Sequence, residues 1–393
     1  MTKRGRLFLM IVISIAILLS AFGLPATANG PQNSGQSNPG GYVKYTLDLL
    51  NNTLINGNFV NTGKGMEPWG IAYDPSNGYI YVTNNRYSGT VSVIDGANNT
   101  VIATIPVGSG PVGVAYDPSN GYIYVVNLLS GTVSVINGTT VIATIPVGIR
   151  PVGVAYDPSN GYIYVTNGYS NTVSVINGAN NTVIATIPVG IDPTGVAYDP
   201  SNGYIYVANM FSDSVSVING TTVIATIPVG IGPWGIAYDP SNGYIYVTNY
   251  DSNSVSVING ATNTVIANIT VGQRPTGVAY DPSNGYIYVA NERSGTVSVI
   301  NGATNTVIAN ITVGIDPEGV AYDPSNGYIY VTNPGSDTVS IISTSVSTSS
   351  TSISSVTTPT TSTPSVVPAW AVVAAVVVVV LIVALLMIKR RKP

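Results

Sequence analysis

Along most of the chain the apolar positions recur with a period of two, and residues 275–317 show the unit. Gly277-Val-Ala-Tyr280 is a short apolar run, strand A. Asp281-Pro-Ser-Asn-Gly285 is turn chemistry: proline presets its own backbone angle, the aspartate accepts from nearby backbone, and glycine allows positive φ. Tyr286-Ile-Tyr-Val-Ala290 follows as strand B, Thr296-Val-Ser-Val-Ile300 alternates strictly as strand C, Asn301-Gly-Ala-Thr-Asn305 is a hairpin turn, and Thr306 to Val313 is strand D. This pattern predicts an antiparallel four-stranded unit without a helical period.

Two stretches break the period. Met1-Thr-Lys-Arg-Gly-Arg6 precedes an apolar run from Leu7 to Leu24 and then Ala26-Thr-Ala28, the pattern of a secretory signal peptide cut after Ala28. An uncleaved anchor helix is the other reading of that run. Ala369 to Ile388 carries no charge and is followed by Lys389-Arg-Arg-Lys392. Such a run is long enough for a membrane-spanning helix with its basic tail in the cytoplasm, and Trp370 stands where an interfacial aromatic would. Ser343 to Ser365 is 18 Ser or Thr in 23 residues, which cannot bury a core and reads as an extended stalk. The expected organisation is a signal peptide at 1–28, a linker at 29–43, a folded domain at 44–342, a stalk at 343–368, a transmembrane helix at 369–388 and a cytoplasmic tail at 389–393.

The folded part is a repeat. Tyr-Asp-Pro-Ser-Asn-Gly-Tyr-Ile-Tyr-Val begins at Tyr73, Tyr116, Tyr156, Tyr198, Tyr238, Tyr280 and Tyr322. Units of about 40 residues are too short to fold alone and match the four-stranded blade of a β-propeller. Strands A, B and C occur seven times but D follows C only six times, because Thr338 to Ile342 runs into the stalk. Asn52-Thr-Leu-Ile-Asn-Gly-Asn-Phe-Val60 stands before the first A strand as Asn305 to Val313 stands before the last. It is expected to supply the missing strand and close an all-β, seven-bladed ring, removing its open edges. Thr46-Leu-Asp-Leu-Leu50 is a candidate for an eighth C strand.

Tyr246-Val-Thr-Asn249 and the frame Val-Ser-Val-Ile-Asn/Asp-Gly followed by Asn-Thr-Val-Ile-Ala-Thr-Ile-Pro-Val-Gly resemble the YVTN family of β-propeller repeats over about residues 52–342. With its signal, stalk and terminal helix, the chain is similar to archaeal surface-layer and cell-surface antigens. The resemblance implies a propeller displayed outside the cell. It transfers no catalytic residue, since the motif is framework.

The repeats differ mainly in their B–C and D–A loops, which a propeller places on one face. All five basic residues of the repeat region 52–342, Lys64, Arg86, Arg150, Arg274 and Arg293, fall there, with eight of the 17 acids. Loops on a rigid scaffold carry recognition, with aromatics and arginine as anchors. The candidate binding face is Trp69, Arg86, Tyr87, Arg150, Tyr169, Phe211, Trp234, Tyr250, Arg274, Arg293 and Glu318; unselected drift of loop tips is the competing reading. The glycosylation sequons Asn51, Asn98, Asn137, Asn180, Asn219, Asn268 and Asn310 avoid that face.

Composition narrows the chemistry. Histidine and cysteine are absent, which excludes imidazole and thiol catalysis, disulfides and haem ligation. No catalytic residue, metal or cofactor is expected. Gly108-Ser-Gly-Pro-Val-Gly113 and Gly230-Ile-Gly-Pro-Trp-Gly235 match a dinucleotide fingerprint, but a strand follows each where a helix is required. Asp-Pro-Ser-Asn-Gly lacks the further ligands of a calcium loop and reads as a turn, with a ring of seven Asp around a central cation as the alternative. The repeated tyrosines are expected to pack between blades. The part outside the membrane carries a formal −11, so nucleic acid is not an expected partner. The expected role is a membrane-anchored surface scaffold binding other envelope proteins or surface glycans. An adhesin or glycan receptor is the second reading. A hydrolase or lyase is the third, and it requires clustered charges at the channel mouth, for which Asp192, Arg150, Arg274 and Glu318 are the candidates. With so few charges, the ectodomain is expected to keep its structure on acidification to about pH 4.

Overall fold

The computed structural model describes residues 45–48, 53–54, 58–64, 66–85 and 89–343. The signal peptide, the linker, the stalk beyond Ser343, the transmembrane helix, the tail, and Asn51, Arg86 and Tyr87 lie outside them. Among the described residues no helix is long and apolar enough to cross a membrane.

Six successive four-stranded antiparallel sheets follow one another from Pro68, each built from one unit of the sequence. In blade 6, strand A is Pro275–Asp281, B is Tyr286–Asn291, C is Thr296–Asn301 and D is Thr306–Thr312. Blade 7 has A at Val320–Asp323, B at Tyr328–Asn333 and C at Thr338–Ser343. Its fourth strand comes from the start of the chain. Asn58–Asn61 pairs antiparallel with the last C strand, Val60 opposite Val339 and Asn61 opposite Thr338. The Thr62 amide continues the ladder by donating to the Asp337 carbonyl at 3.1 Å.

Two details depart from the sequence expectation. The closing strand is shorter than Asn52–Val60, and the preceding segment is not an eighth C strand. Tyr45–Asp48 runs parallel to the last C strand, Tyr45 opposite Ile342, and Thr53–Leu54 folds back on it. An eighth C strand would need A and B partners of its own. Asn58–Asn61 leaves the edge of the last C strand open beyond Ile341, and Tyr45–Asp48 pairs there.

The blades are joined by cores that belong to interfaces. Along strand B, Ile287 and Val289 face blade 5, while Tyr288 and Ala290 face blade 7. Both faces are apolar, so strands B and C are buried throughout, each large apolar side chain contributing about 1.5–3 kcal/mol. The blade 7–blade 1 contact is built the same way, from Val60, Ile80, Val82, Ile94, Tyr330, Val339 and Ile341.

Near the axis, each A strand touches the next. A Cβ on Gly153 would stand 2.3 Å from the Thr194 carbonyl oxygen, and one on Gly277 would stand 2.2 Å from that of Glu318. A Cβ on Gly319 would stand 2.5 Å from the Trp69 carbonyl oxygen, closing the circle. A threonine hydroxyl reinforces most of these contacts. Thr248 donates to the Thr276 carbonyl at 2.7 Å and Thr332 to that of Trp69 at 2.6 Å. Blades 4 and 6 have Ala208 and Ala290 at this B position, and there Thr194 and Thr276 on strand A donate across to Trp234 and Pro317 carbonyls instead. The hydroxyl moves from one strand to the other while the inter-blade bond is kept.

The opposite end uses the Asp-Pro-Ser-Asn-Gly turn. Asp281 Oδ1 accepts from the Ser283 amide and hydroxyl, and Oδ2 from Asn284 Nδ2. The Tyr322 hydroxyl of the next blade bonds with Ser283 and Asp281. Most turn carboxylates are thus occupied by their own turns; in blade 4, Asn202 Nδ2 turns to the Tyr206 hydroxyl and the Gly260 carbonyl, and Asp199 Oδ2 is left without a partner among the described residues. The buried tyrosines of strand B also bridge blades: Tyr246 donates to the Gly302 carbonyl at 3.3 Å, and Tyr330 to Asn99 Oδ1 at 2.7 Å.

Candidate functional site at the mouth of the ring

The B–C and D–A loops meet on one face, at the end where the A strands start, called the mouth here. Their backbones pair: the Glu292 amide donates to the Arg274 carbonyl at 2.9 Å, and Tyr169 to Ile149 at 3.2 Å. The A–B and C–D turns meet at the other end, as in the bond from the Gly302 amide to Gly285.

The residue before the proline of each D–A loop has positive φ. Gly110 and Gly232 fill it in blades 2 and 5, but Glu67, Arg150, Asp192, Arg274 and Asp316 fill it elsewhere, at φ of 47, 53, 53, 53 and 54°. A side chain costs about 1–2 kcal/mol there. Neighbouring blades hold the strained loops: Asn171 Oδ1 accepts from the Asp192 amide and Asn253 Oδ1 from the Arg274 amide, both at 2.9 Å. Charged residues are therefore held where glycine fits more easily. Arg150→Gly is expected to leave stability unchanged within about 0.5 kcal/mol, and Arg150→Val to lower it by about 1–2 kcal/mol, by denaturant unfolding.

Two charged clusters result. Across blades 3 and 4 the Arg150 guanidinium stacks on Tyr169, 4.2 Å from the ring centre. Burial pushes the Asp192 carboxyl above the ordinary range, opposed by the nearby Arg150. The second cluster spans blades 5 to 7. Trp234 and Tyr250 lie 5.9 Å apart, and Arg274 sits 5.1 Å over Tyr250 and 3.8 Å from Glu292. Burial raises the Tyr250 hydroxyl, as does its hydrogen bond with Glu292. Glu318 completes the group. It is 7% exposed. Burial pushes it well above the usual glutamate value, with Glu292 and Asp316 adding to the shift.

The sign of that shift fixes a pH dependence. A carboxyl whose folded pKa is raised favours folding below its unfolded value and loses that contribution as pH rises towards the folded one. Glu318→Gln is expected to raise the thermal midpoint at neutral pH, with the gain shrinking towards zero as pH falls to about 4. Asp192 acts in the same direction.

Of the residues expected on this face, Arg150 and Tyr169 come together, as do Trp234, Tyr250, Arg274 and Glu318. Trp69 is half-buried and packs against the core that joins blades 2 and 3. Phe211 is 65% exposed, and Arg293 is exposed at the tip of a 3-10 turn, Glu292–Ser294. Sequence reading left Glu292 off the list. It follows the Asn that ends strand B, the place that Tyr250 fills one blade earlier, so aligning the repeats position by position would have found it. The sequons Asn98, Asn137, Asn180 and Asn219 are exposed in C–D turns, and Asn268 and Asn310 are exposed in strand D.

No protein-family model matches the chain, and no curated protein does. Solved structures do. A Kuenenia stuttgartiensis hydrazine synthase chain aligns at 20% identity and TM-score 0.66, over 72% of this chain and 97% of that one. A streptogramin B lyase aligns at 15% identity and TM-score 0.62, over 70% and 93%. The chain shares a propeller fold with these proteins.

Proposed function

We propose that this chain is an interaction scaffold of the YVTN-repeat, surface-layer type, held outside a cell by residues 369–388, with its mouth face binding neighbouring envelope proteins or surface glycans. The observation carrying this is the polarity between faces. Among the described residues the most exposed large apolar side chains, Leu129, Ile149, Tyr169, Phe211 and Ile315 at 60–69%, all lie in mouth loops. The charged clusters adjoin them, and the described sequons all lie away from that face. Exposed apolar patches beside charges mark contact surfaces.

The aromatic pair Trp234–Tyr250 favours a glycan receptor as the second reading. Hydrazine synthase and the lyase, at 20% and 15% identity, carry no chemistry across, and the proposed role is not catalytic.

Photo-crosslinking side chains placed at Phe211 on the mouth face and at Ile102 on outer strand D, in intact envelopes, test this. Phe211 is expected to yield discrete adducts and Ile102 few. Adducts from Ile102 alone would contradict the reading.

A further inference from the structure

The mouth loops of blades 3 and 4 match each other as two halves of one contact. We propose that a second copy of this chain docks on them, mouth to mouth about a two-fold axis, with blade 3 of each copy over blade 4 of the other. The inference rests on the mouth being the recognition face and names one partner for it.

The two blades carry the same couple of side chains on the same frame. Ile149 and Tyr169 are 65% and 63% exposed in blade 3, and Ile191 and Phe211 are 55% and 65% exposed in blade 4. The Tyr169 amide donates to the Ile149 carbonyl and the Phe211 amide to the Ile191 carbonyl, both at 3.2 Å. The Ile149 and Ile191 amides donate to the Ser170 and Ser212 hydroxyls, both at 2.8 Å. Ser109, Asp251, Gln273 and Gly335 break the couple in blades 2, 5, 6 and 7. Among blades 2 to 7 the aliphatic–aromatic couple thus occurs only in these two neighbours. Beside the couples stand opposite charges at the same left-handed loop position, Arg150 in blade 3 and Asp192 in blade 4.

In a two-fold contact every pairing occurs twice, residue i on j and j on i. Blade 3 over blade 4 sets Ile149 against Ile191, Tyr169 against Phe211 and Arg150 against Asp192. Apolar side chains meet apolar ones, and each charge meets its opposite. The Arg150 guanidinium, stacked 4.2 Å from the Tyr169 ring centre, keeps its N–H edge for a carboxylate. The axis runs on through blade 7, which fixes the rest of the ring. Gly110 meets Gly232 and Glu67 meets Arg274 at the same loop position, and exposed Asp316 meets its own copy as the single like pair. The other register best matched in charge puts blade 3 over blade 7 and blade 4 over blade 6. It sets Tyr169 against Gly335 and Phe211 against Arg293, so both aromatics lose an apolar partner. Loops already held by their own hydrogen bonds lose little freedom on docking.

The test is sedimentation of the full-length protein in density-matched detergent, with two charge reversals. The unchanged chain is expected to dimerise reversibly. Arg150→Asp puts aspartate against aspartate in both contacts, and Asp192→Arg puts arginine against arginine. Each variant alone is expected to lose affinity about a hundredfold or more. Mixed one to one, the two are expected to recover a dimer, because each reversed residue then meets the opposite charge. Changes within one chain cannot produce that rescue. Arginine and aspartate both already occupy this loop position in the ring, and thermal melts show that each variant is folded. Phe211→Ser is expected to weaken the dimer about tenfold. A monomer at every concentration, a dimer unaffected by either reversal, or a mixture that stays monomeric would overturn the proposal. Crosslinks from Phe211 to other envelope proteins by a monomeric chain would keep the scaffold reading and sink this one.

Discussion

Gly153→Ala is expected to destabilise the protein by about 3–5 kcal/mol, far more than most glycine-to-alanine changes. The added Cβ would stand 2.3 Å from the Thr194 carbonyl oxygen and 3.1 Å from Thr166 Oγ1. Neither can yield. The carbonyl accepts the 2.6 Å bond from Thr166 that ties blade 3 to blade 4, and strand A of each blade is wedged between two others. Relief requires moving a whole blade, which a closed ring resists. Gly161→Ala is the control. Gly161 has φ 73° in the A–B turn, with nothing within 4 Å of an added Cβ, so its cost is conformational alone, about 1–2 kcal/mol. Denaturant unfolding separates the two. Equal effects would mean that the A strands do not meet as described.

Deleting residues 29–61 is the second large perturbation. It removes Val60 from the blade 7–blade 1 core and strips the antiparallel partner from Thr338–Ile341. It also exposes the strand edge that closure covers. Loss of about 5 kcal/mol is expected from the lost burial and hydrogen bonds, a fall of about 10 °C in the thermal midpoint. Bare edges recruit other chains, so the shortened protein is also expected to associate with rising concentration. Light scattering and thermal melts on both forms give the answer; an unchanged midpoint would mean that the ring is complete without the N-terminal strand.

Most of the fold was legible because each unit repeats the same local signals seven times. Alternation set the strands, Asp-Pro-Ser-Asn-Gly set the A–B turn, and a count of strands showed that one was missing. The closing segment was legible in part only. Asn52 to Val60 carries strand-like composition throughout, but pairing is decided by the free edge of the last C strand, and Tyr45–Asp48 takes a share of it. The exchange of threonine between strands, Thr248 in one blade against Thr276 in the next, was visible in the aligned repeats but meaningless until both hydroxyls were seen to serve an inter-blade bond. The site was legible as a set of loops and not as clusters. Arg274, Glu292 and Glu318 are separated in sequence and come from two blades, and their encounter depends on the angle between blades. Trp69, chosen for its type, is half-buried against the core of blades 2 and 3, which its own sequence neighbourhood does not show.

The mouth exists because the ring is closed, with Asn58–Asn61 seated on the last C strand. The chain has no cysteine, so an introduced pair is unambiguous. Asn61 and Thr338 face each other across that junction, beside the hydrogen-bonded Thr62–Asp337 pair. A non-hydrogen-bonded antiparallel pair brings its Cα atoms to about 4.5 Å, within disulfide range. Asn61→Cys with Thr338→Cys is expected to oxidise to near completion within the monomer and to raise the thermal midpoint. Two free thiols after mild oxidation, or disulfides formed only between molecules, would contradict closure and the mouth built upon it.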